Sequence, residues 1–113
     1  MSNPASSLAP AIAAYIAAAN ARDTSRVASF FAEDANVFDE GQHQVGTHAI
    51  AQWMQDTAQR YQPRVEVLDV QLRTVKVFVH NLNSGTFPGS PLELRYMFRL
   101  NERGKIARLD ISL

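Results

Sequence analysis

The chain has no cysteine, one tryptophan and no excess of charge: eleven Lys and Arg balance eleven Asp and Glu. Without cysteine there are no disulfides, no thiol nucleophile and no thiolate metal site. Zero net charge argues against nucleic acid as a partner, because a phosphate backbone calls for a basic face. No run of about 18 apolar residues occurs, so no helical span of a membrane is expected. The opening "MSNPASSLAP" lacks a basic start and a long apolar stretch, so it is not read as a secretory signal. The default location is therefore cytoplasmic.

What is present fits one domain of 113 residues, 46% of them hydrophobic. The first seven residues read as a flexible tail. In "SLAPAIAAYIAAANARD", Ile12, Tyr15, Ile16 and Ala19 recur at helical spacing, with Pro10 suited to the first turn. Asp23 is placed to cap a second short helix carrying Val27, Phe30 and Phe31. "DANVFDEGQHQVG" then predicts a strand, a tight turn at Glu40-Gly41 and a short return strand. Thr47 is expected to cap a third helix with Ile50, Trp53, Met54, Ala58 and Tyr61 in helical register, ended by Pro63.

From residue 64 the period becomes two. "RVEVLDVQLRT" and "VKVFVHNLNSGTF" read as long strands, and "FPGS" as a type II turn with Pro then Gly at its centre. In "PLELRYMFRL", Leu92, Leu94, Tyr96, Phe98 and Leu100 share one face, opposite Glu93, Arg95, Met97 and Arg99. "IARLDISL" aligns Ala107, Leu109, Ile111 and Leu113. Helices followed by a run of antiparallel strands predict an α+β domain whose sheet curls over its helices. In "VKVFVHNL", Val75, Val77 and Val79 lie on one face and Phe78 and Leu82 on the other. Two apolar faces call for a second cover, most simply a two-fold homodimer through the outer sheet face.

Asp39 has two readings from the residues alone. An aspartate at a strand end before "EG" is ordinary turn chemistry. Alternation also puts it on the face of Val37, where apolar walls would raise its pKa and make it a general base near neutral pH. Tyr15 and Tyr96 are either core aromatics or hydrogen-bond donors to a ligand oxygen, since a phenol stays protonated at neutral pH. No two of His43, His48 and His80 have the i, i+4 spacing of a helical metal site. His48 and His80 read as solvated, and His43 as a second-tier candidate near Asp39. No metal and no cofactor are expected.

The stretches "YIAAANARD", "FFAEDANVFDEG", "VGTHAIAQW", "GTFPGSPLEL" and "FRLNERGKI" resemble the nuclear transport factor 2-like superfamily. Within it, SnoaL-like polyketide cyclases and ketosteroid isomerases are nearest. The resemblance implies a cone: a curved, mostly antiparallel sheet wrapped around three N-terminal helices, with an apolar cavity at its open end. It also implies homodimers through the outer sheet face. Tyr15 falls on a first-helix tyrosine of ketosteroid isomerase, and Asp39 on the general base of that enzyme. Tyr96 falls where the isomerase has a protonated aspartate as second oxyanion donor. Two departures stand out: Glu40 replaces the proline after the base, and Tyr96 replaces the acid.

The resemblance favours the pocket reading of Asp39, with Tyr15 and Tyr96 as its catalytic partners. Phe31, Val37, His43, Trp53, Met54, Phe87 and Phe98 are then expected to line the ligand site. Asp69 and Asp110 with Arg95 and Arg99 would be an epoxide-opening set. It is set aside because both arginines lie opposite Tyr96. Three functions follow: a cofactor-free acid–base catalyst on a small apolar carbonyl compound, a carrier or sensor of an apolar ligand, or a dimeric scaffold with a filled cone.

Overall fold

The computed structural model describes residues 8–113. The flexible tail expected at residues 1–7 lies outside the described residues. Three of the nine elements are helices, α1 (Pro10–Ala21), α2 (Val27–Phe30) and α3 (Thr47–Tyr61), and the first hairpin of the sheet lies between α2 and α3. Six strands, β1 (Phe31–Asp39), β2 (Gln42–Val45), β3 (Arg64–Leu72), β4 (Lys76–Ser84), β5 (Leu92–Leu100) and β6 (Ile106–Ser112), form one sheet. Its order is β2-β1-β6-β5-β4-β3. All neighbours are antiparallel except β1 and β6, which pair in parallel. The sheet is curled and open, and its concave face carries the helices, as the α+β cone reading expects.

Local chemistry sets the ends of these elements. Pro10 occupies the first turn of α1, where its missing N–H costs no hydrogen bond. Arg22 closes the helix in the left-handed region (φ 56°), and the Asp23 N–H reaches the Ala18 carbonyl at 2.9 Å. Asp23 does not cap α2. Its carboxylate accepts from the Ser25 N–H (2.9 Å) and hydroxyl (2.6 Å), which fixes the turn before the helix instead. Phe31 is not the end of a helical stripe either: α2 is a single turn, and Phe31 opens β1. Thr47 also differs from expectation. Gly46 takes the cap position with φ 90°, and Thr47 is the first helical residue without a side-chain cap bond.

The hairpin at Glu40-Gly41 has φ 52° and 75°, both in the left-handed region that a two-residue type I′ connection requires. At the "FPGS" turn, Gly89 has φ 86° and the Ser90 N–H returns to the Phe87 carbonyl at 3.3 Å. Ala107 departs from its expected face. Register passes from Arg99–Arg108 to Leu100–Ile106, leaving Ala107 as the extra residue of a bulge. Ile106 enters the core in its place, and Leu109 and Ile111 resume the inward set. Val75 lies before β4 and is 60% exposed, so the inward row of that strand begins at Val77.

The inward face of the sheet is a grid. Val77, Phe98, Leu109 and Val37 stand side by side across β4, β5, β6 and β1. The next row toward the open end is Val79, Tyr96 and Ile111, with Asp39 one step beyond the Phe38–Asp110 pair. Asn81 with Leu94, then Asn83 with Leu92, follow. The first row is packed solid against Ile12, Phe30, Phe31 and Ile50. In the later rows Asp39, Tyr96, Ile111, Leu94, Asn83 and Leu92 border open space, while Val79 and Asn81 stay fully buried.

Candidate functional site

That space is a cavity of about 550 Å³, within the range of small-molecule sites. Its lining is mostly apolar. Ala18, Ala19, Met54, Val65, Leu92, Leu94 and Ile111 make the walls, and Tyr61, Phe87 and Pro88 stand at the mouth. Its polar lining includes Asp39, Tyr15, Tyr96 and Asn83, with Arg22, Asp23, Glu40 and the hydroxyl residues Thr24, Thr57 and Ser112 also contributing.

Asp39 ends β1, and the hairpin fixes where it points. Ala35 and Val37 precede it on the same face and are fully buried. The alternation therefore delivers Asp39 to the cavity rather than to solvent. Trp53, one face of α3, donates its indole N–H to Asp39 Oδ2 at 3.1 Å. Burial raises the Asp39 pKa above the ordinary carboxylate value. The indole hydrogen bond pulls it back in part, and the neighbouring Glu40 charge pushes it up again. The net direction is upward, as a general base near neutrality needs.

Tyr15 is 3% exposed and held by edge-on contacts with Phe30, Phe31 and Phe98, at centroid distances of 6.4, 5.6 and 5.9 Å. Its ring is 6.3 Å from that of Tyr96. Both hydroxyls have pKa values raised chiefly by burial, with the Asp39 charge adding to the rise in each. Both therefore stay protonated and able to donate. Tyr96 accepts a hydrogen bond from Asn83 Nδ2 at 2.8 Å. The Tyr15 hydroxyl has no hydrogen-bond partner among the described residues. It is also not an enclosed orphan, because the enclosed unpartnered side-chain atom among the described residues is Asn81 Oδ1. The Tyr15 oxygen instead opens on the cavity.

The structure thus brings Asp39, Tyr15, Tyr96, Trp53, Met54 and Phe87 to one space. It does not bring the other expected residues there. Phe31, Val37 and Phe98 are at most 1% exposed and form the packed floor behind the tyrosines. They face inward correctly but lie one row too deep to touch a ligand. His43 lies on the far side of the sheet. It pairs with Phe38 across the hairpin, and directly opposed residues share a face. Phe38 alternates away from Asp39, so His43 stacks on Phe38 (4.6 Å) and meets Asn36 Oδ1 at 2.9 Å. His48 is exposed, and His80 pairs with exposed Glu93 at 3.3 Å. Among the described residues, no group of three or more His, Cys, Asp or Glu is gathered as a metal site would be. No helix among them is long and apolar enough to cross a membrane.

Asn83 is the site residue that sequence reasoning missed. The signal was in "VKVFVHNLNS": inward alternation from Val77 and Val79 carries on to Asn81 and Asn83. Two amides in an otherwise apolar row ask for partners. Tyr61 was also missed as a mouth residue. It donates to Glu40 Oε1 at 3.3 Å and meets Phe87 edge-on at 5.7 Å, which ties α3 to both loops at the opening.

Comparison with known proteins identifies the family and supports the fold. Residues 12–109 match the model of the SnoaL-like domain family. A crystal structure from Sinorhizobium meliloti, of a protein provisionally named a polyketide cyclase, is 34% identical with a TM-score of 0.91; the match covers 96% of this chain and 98% of that one. A second provisionally named polyketide cyclase, from Xanthomonas campestris, is 23% identical with a TM-score of 0.70, covering 91% and 87%. A protein of ketosteroid isomerase-like fold from Catenulispora acidiphila, in complex with trimethylamine, is 17% identical with a TM-score of 0.79, covering 92% and 85%. The last two matches speak for the fold alone. No curated protein matches the chain.

Proposed function

The chain belongs to the SnoaL-like domain family, and on that premise we propose that it is an acid–base catalyst acting on a small, mostly apolar carbonyl compound. Asp39 takes a proton from the carbon next to the carbonyl. The electron pair of that C–H bond moves into the C–C–O unit, and the negative charge collects on oxygen. Tyr15 and Tyr96 donate their O–H groups to that oxygen. Where a C=C is conjugated with the enolate, protonated Asp39 returns the proton to the far carbon and the double bond moves, which is isomerisation. Where the molecule carries a second carbonyl, the enolate carbon attacks it and the new alkoxide takes the proton from Asp39, which is cyclisation. The likeness to a relative named for polyketide cyclases favours the second outcome.

One observation carries the proposal: a half-buried carboxylate and two buried phenol hydroxyls face the same apolar cavity. The raised tyrosine pKa values keep the donors charged with protons while Asp39 works in its ionised form. Proton–deuterium exchange at the α-carbons of a panel of small cyclic ketones, followed by NMR in deuterated buffer, tests it. Exchange accelerated by the protein and lost in Asp39→Asn supports catalysis. Binding without accelerated exchange across the panel supports the carrier reading instead. A filled scaffold fits less well, given a cavity of about 550 Å³.

Assembly is part of the same reading. The outer sheet face presents half-buried Phe78, Leu82 and Met97 among charged neighbours. Two copies joined across this face would cover those side chains and leave both cavities open at the far end.

A further inference from the structure

We infer that Asn83 is a positioning residue, which sets the direction of the Tyr96 hydroxyl and so makes it a donor into the cavity. This rests on the acid–base reading above and extends it to a residue with no role there. Asn83 is one of two buried polar side chains among the described residues, 7% exposed, and it lines the cavity. Its Nδ2 lies 2.8 Å from the Tyr96 oxygen. A phenol oxygen carries one hydrogen and accepts through its lone pairs. An N–H arriving from one side occupies the lone pair there and leaves the hydroxyl hydrogen to the other side.

The strand order says which sides these are. β4, which holds Asn83, flanks β5 on one edge; β6 and then β1, which holds Asp39, flank it on the other. Asn83 therefore approaches Tyr96 from the edge opposite Asp39. The hydrogen is turned toward the space between Tyr96 and Asp39, where a ligand oxygen would sit. The opposite assignment, with Tyr96 donating to the amide oxygen, would consume the donor and leave Tyr96 useless to a ligand. The two arrangements predict opposite signs for removal of Asn83.

The probe is 4-nitrophenol, whose oxygen mimics an enol oxygen and whose absorbance reports binding. Affinities are measured for the unaltered chain, Asn83→Leu, Tyr96→Phe and the double variant. Leucine keeps the branched outline of asparagine without its polar atoms but is bulkier; Asn83→Ala, which adds no bulk, provides the same cycle if Asn83→Leu does not fold. Asn83→Leu should weaken binding about tenfold, the order expected when one hydrogen bond loses its orientation. In the Tyr96→Phe background the same change should have little further effect, because Asn83 acts through the hydroxyl. A merely structural asparagine would cost affinity equally in both backgrounds, and additivity would overturn the inference. Tighter binding by Asn83→Leu would overturn it too, by showing that the amide had been consuming the donor. If the unaltered chain does not bind the phenol, the acid–base reading fails and this inference falls with it. Binding without coupling refutes only the role of Asn83.

Discussion

Replacing Trp53 with phenylalanine isolates the hydrogen bond that holds Asp39. An aromatic ring remains on α3, and the indole N–H that reaches Asp39 Oδ2 at 3.1 Å is lost. A hydrogen bond to a charged acceptor contributes about 1.5–3 kcal/mol. This one is partly exposed and toward the long end of the usual range, so about 1.5 kcal/mol is the appropriate figure. The bond favours the ionised carboxylate, and about 1.4 kcal/mol corresponds to one pH unit. The Asp39 titration should therefore move up by about one pH unit, from a position already raised by burial. Carbon-13 NMR of the Asp39 carboxyl reads the change directly. Once a substrate is known, the acid limb of the kcat/KM profile should move upward by the same amount. Stability follows with a definite sign. A carboxylate whose folded pKa lies above its unfolded value of 3.8 costs nothing below that value. The fold loses stability as pH rises through the folded value. Trp53→Phe should deepen this loss at neutral pH beyond its packing cost in acid. An Asp39 titration that stays in place or moves down would refute the account of how the base is tuned.

Asp39→Asn should abolish α-proton exchange and raise the neutral-pH melting temperature, with that gain gone below about pH 3.8; an unchanged melting temperature would remove the burial argument. Gly85→Ala should destabilise by about 2–4 kcal/mol, because the new methyl meets the Tyr61 carbonyl oxygen and disturbs the 2.7 Å bond from the Thr86 N–H. Gly41→Ala, with open space but φ 75°, should lose only about 1 kcal/mol; denaturant titration giving the reverse order would contradict the packing at the mouth. Phe78→Glu should leave far-UV circular dichroism intact and convert dimers to monomers in sedimentation; identical sedimentation of both chains would refute assembly through this face.

The sheet was legible because long stretches of its strands alternate, β5 most plainly. The inward set Leu92, Leu94, Tyr96, Phe98 and Leu100 needs only period-two counting. The inward direction of Asp39 was legible for the same reason, since it shares the face of Val37. Ala107 was not, because a bulge inserts one residue without any glycine or proline to announce it. Phe31, Val37 and Phe98 mark another limit. Alternation tells which face a residue occupies, not how far along the cone packing stops and space begins. That boundary depends on how α1 and α2 fill the narrow end, a matter of side-chain volumes across distant segments. His43 failed for a simpler reason: its distance in sequence from Asp39 is short, yet hairpin pairing assigns it to the opposite face. Asn83 was not legible because an asparagine just before Ser84-Gly85 reads equally well as turn chemistry at a strand end.

The inward grid works as a ruler for ligand length. Each rung is two residues of strand, about 6.5–7 Å of depth. In this chain the solid fill ends at the rung of Val77, Phe98, Leu109 and Val37, and Asp39 and Tyr96 stand on the rung directly above it. A ligand oxygen that reaches the tyrosines therefore touches bottom, and whatever else the molecule carries must extend toward the mouth. Trimming a floor side chain would drop the bottom by one rung while leaving Asp39 and Tyr96 at their height, so the reacting carbon would shift from the tip of the ligand to its middle. On the acid–base reading, residues that never meet the moving proton would thus set where along a molecule this protein reacts.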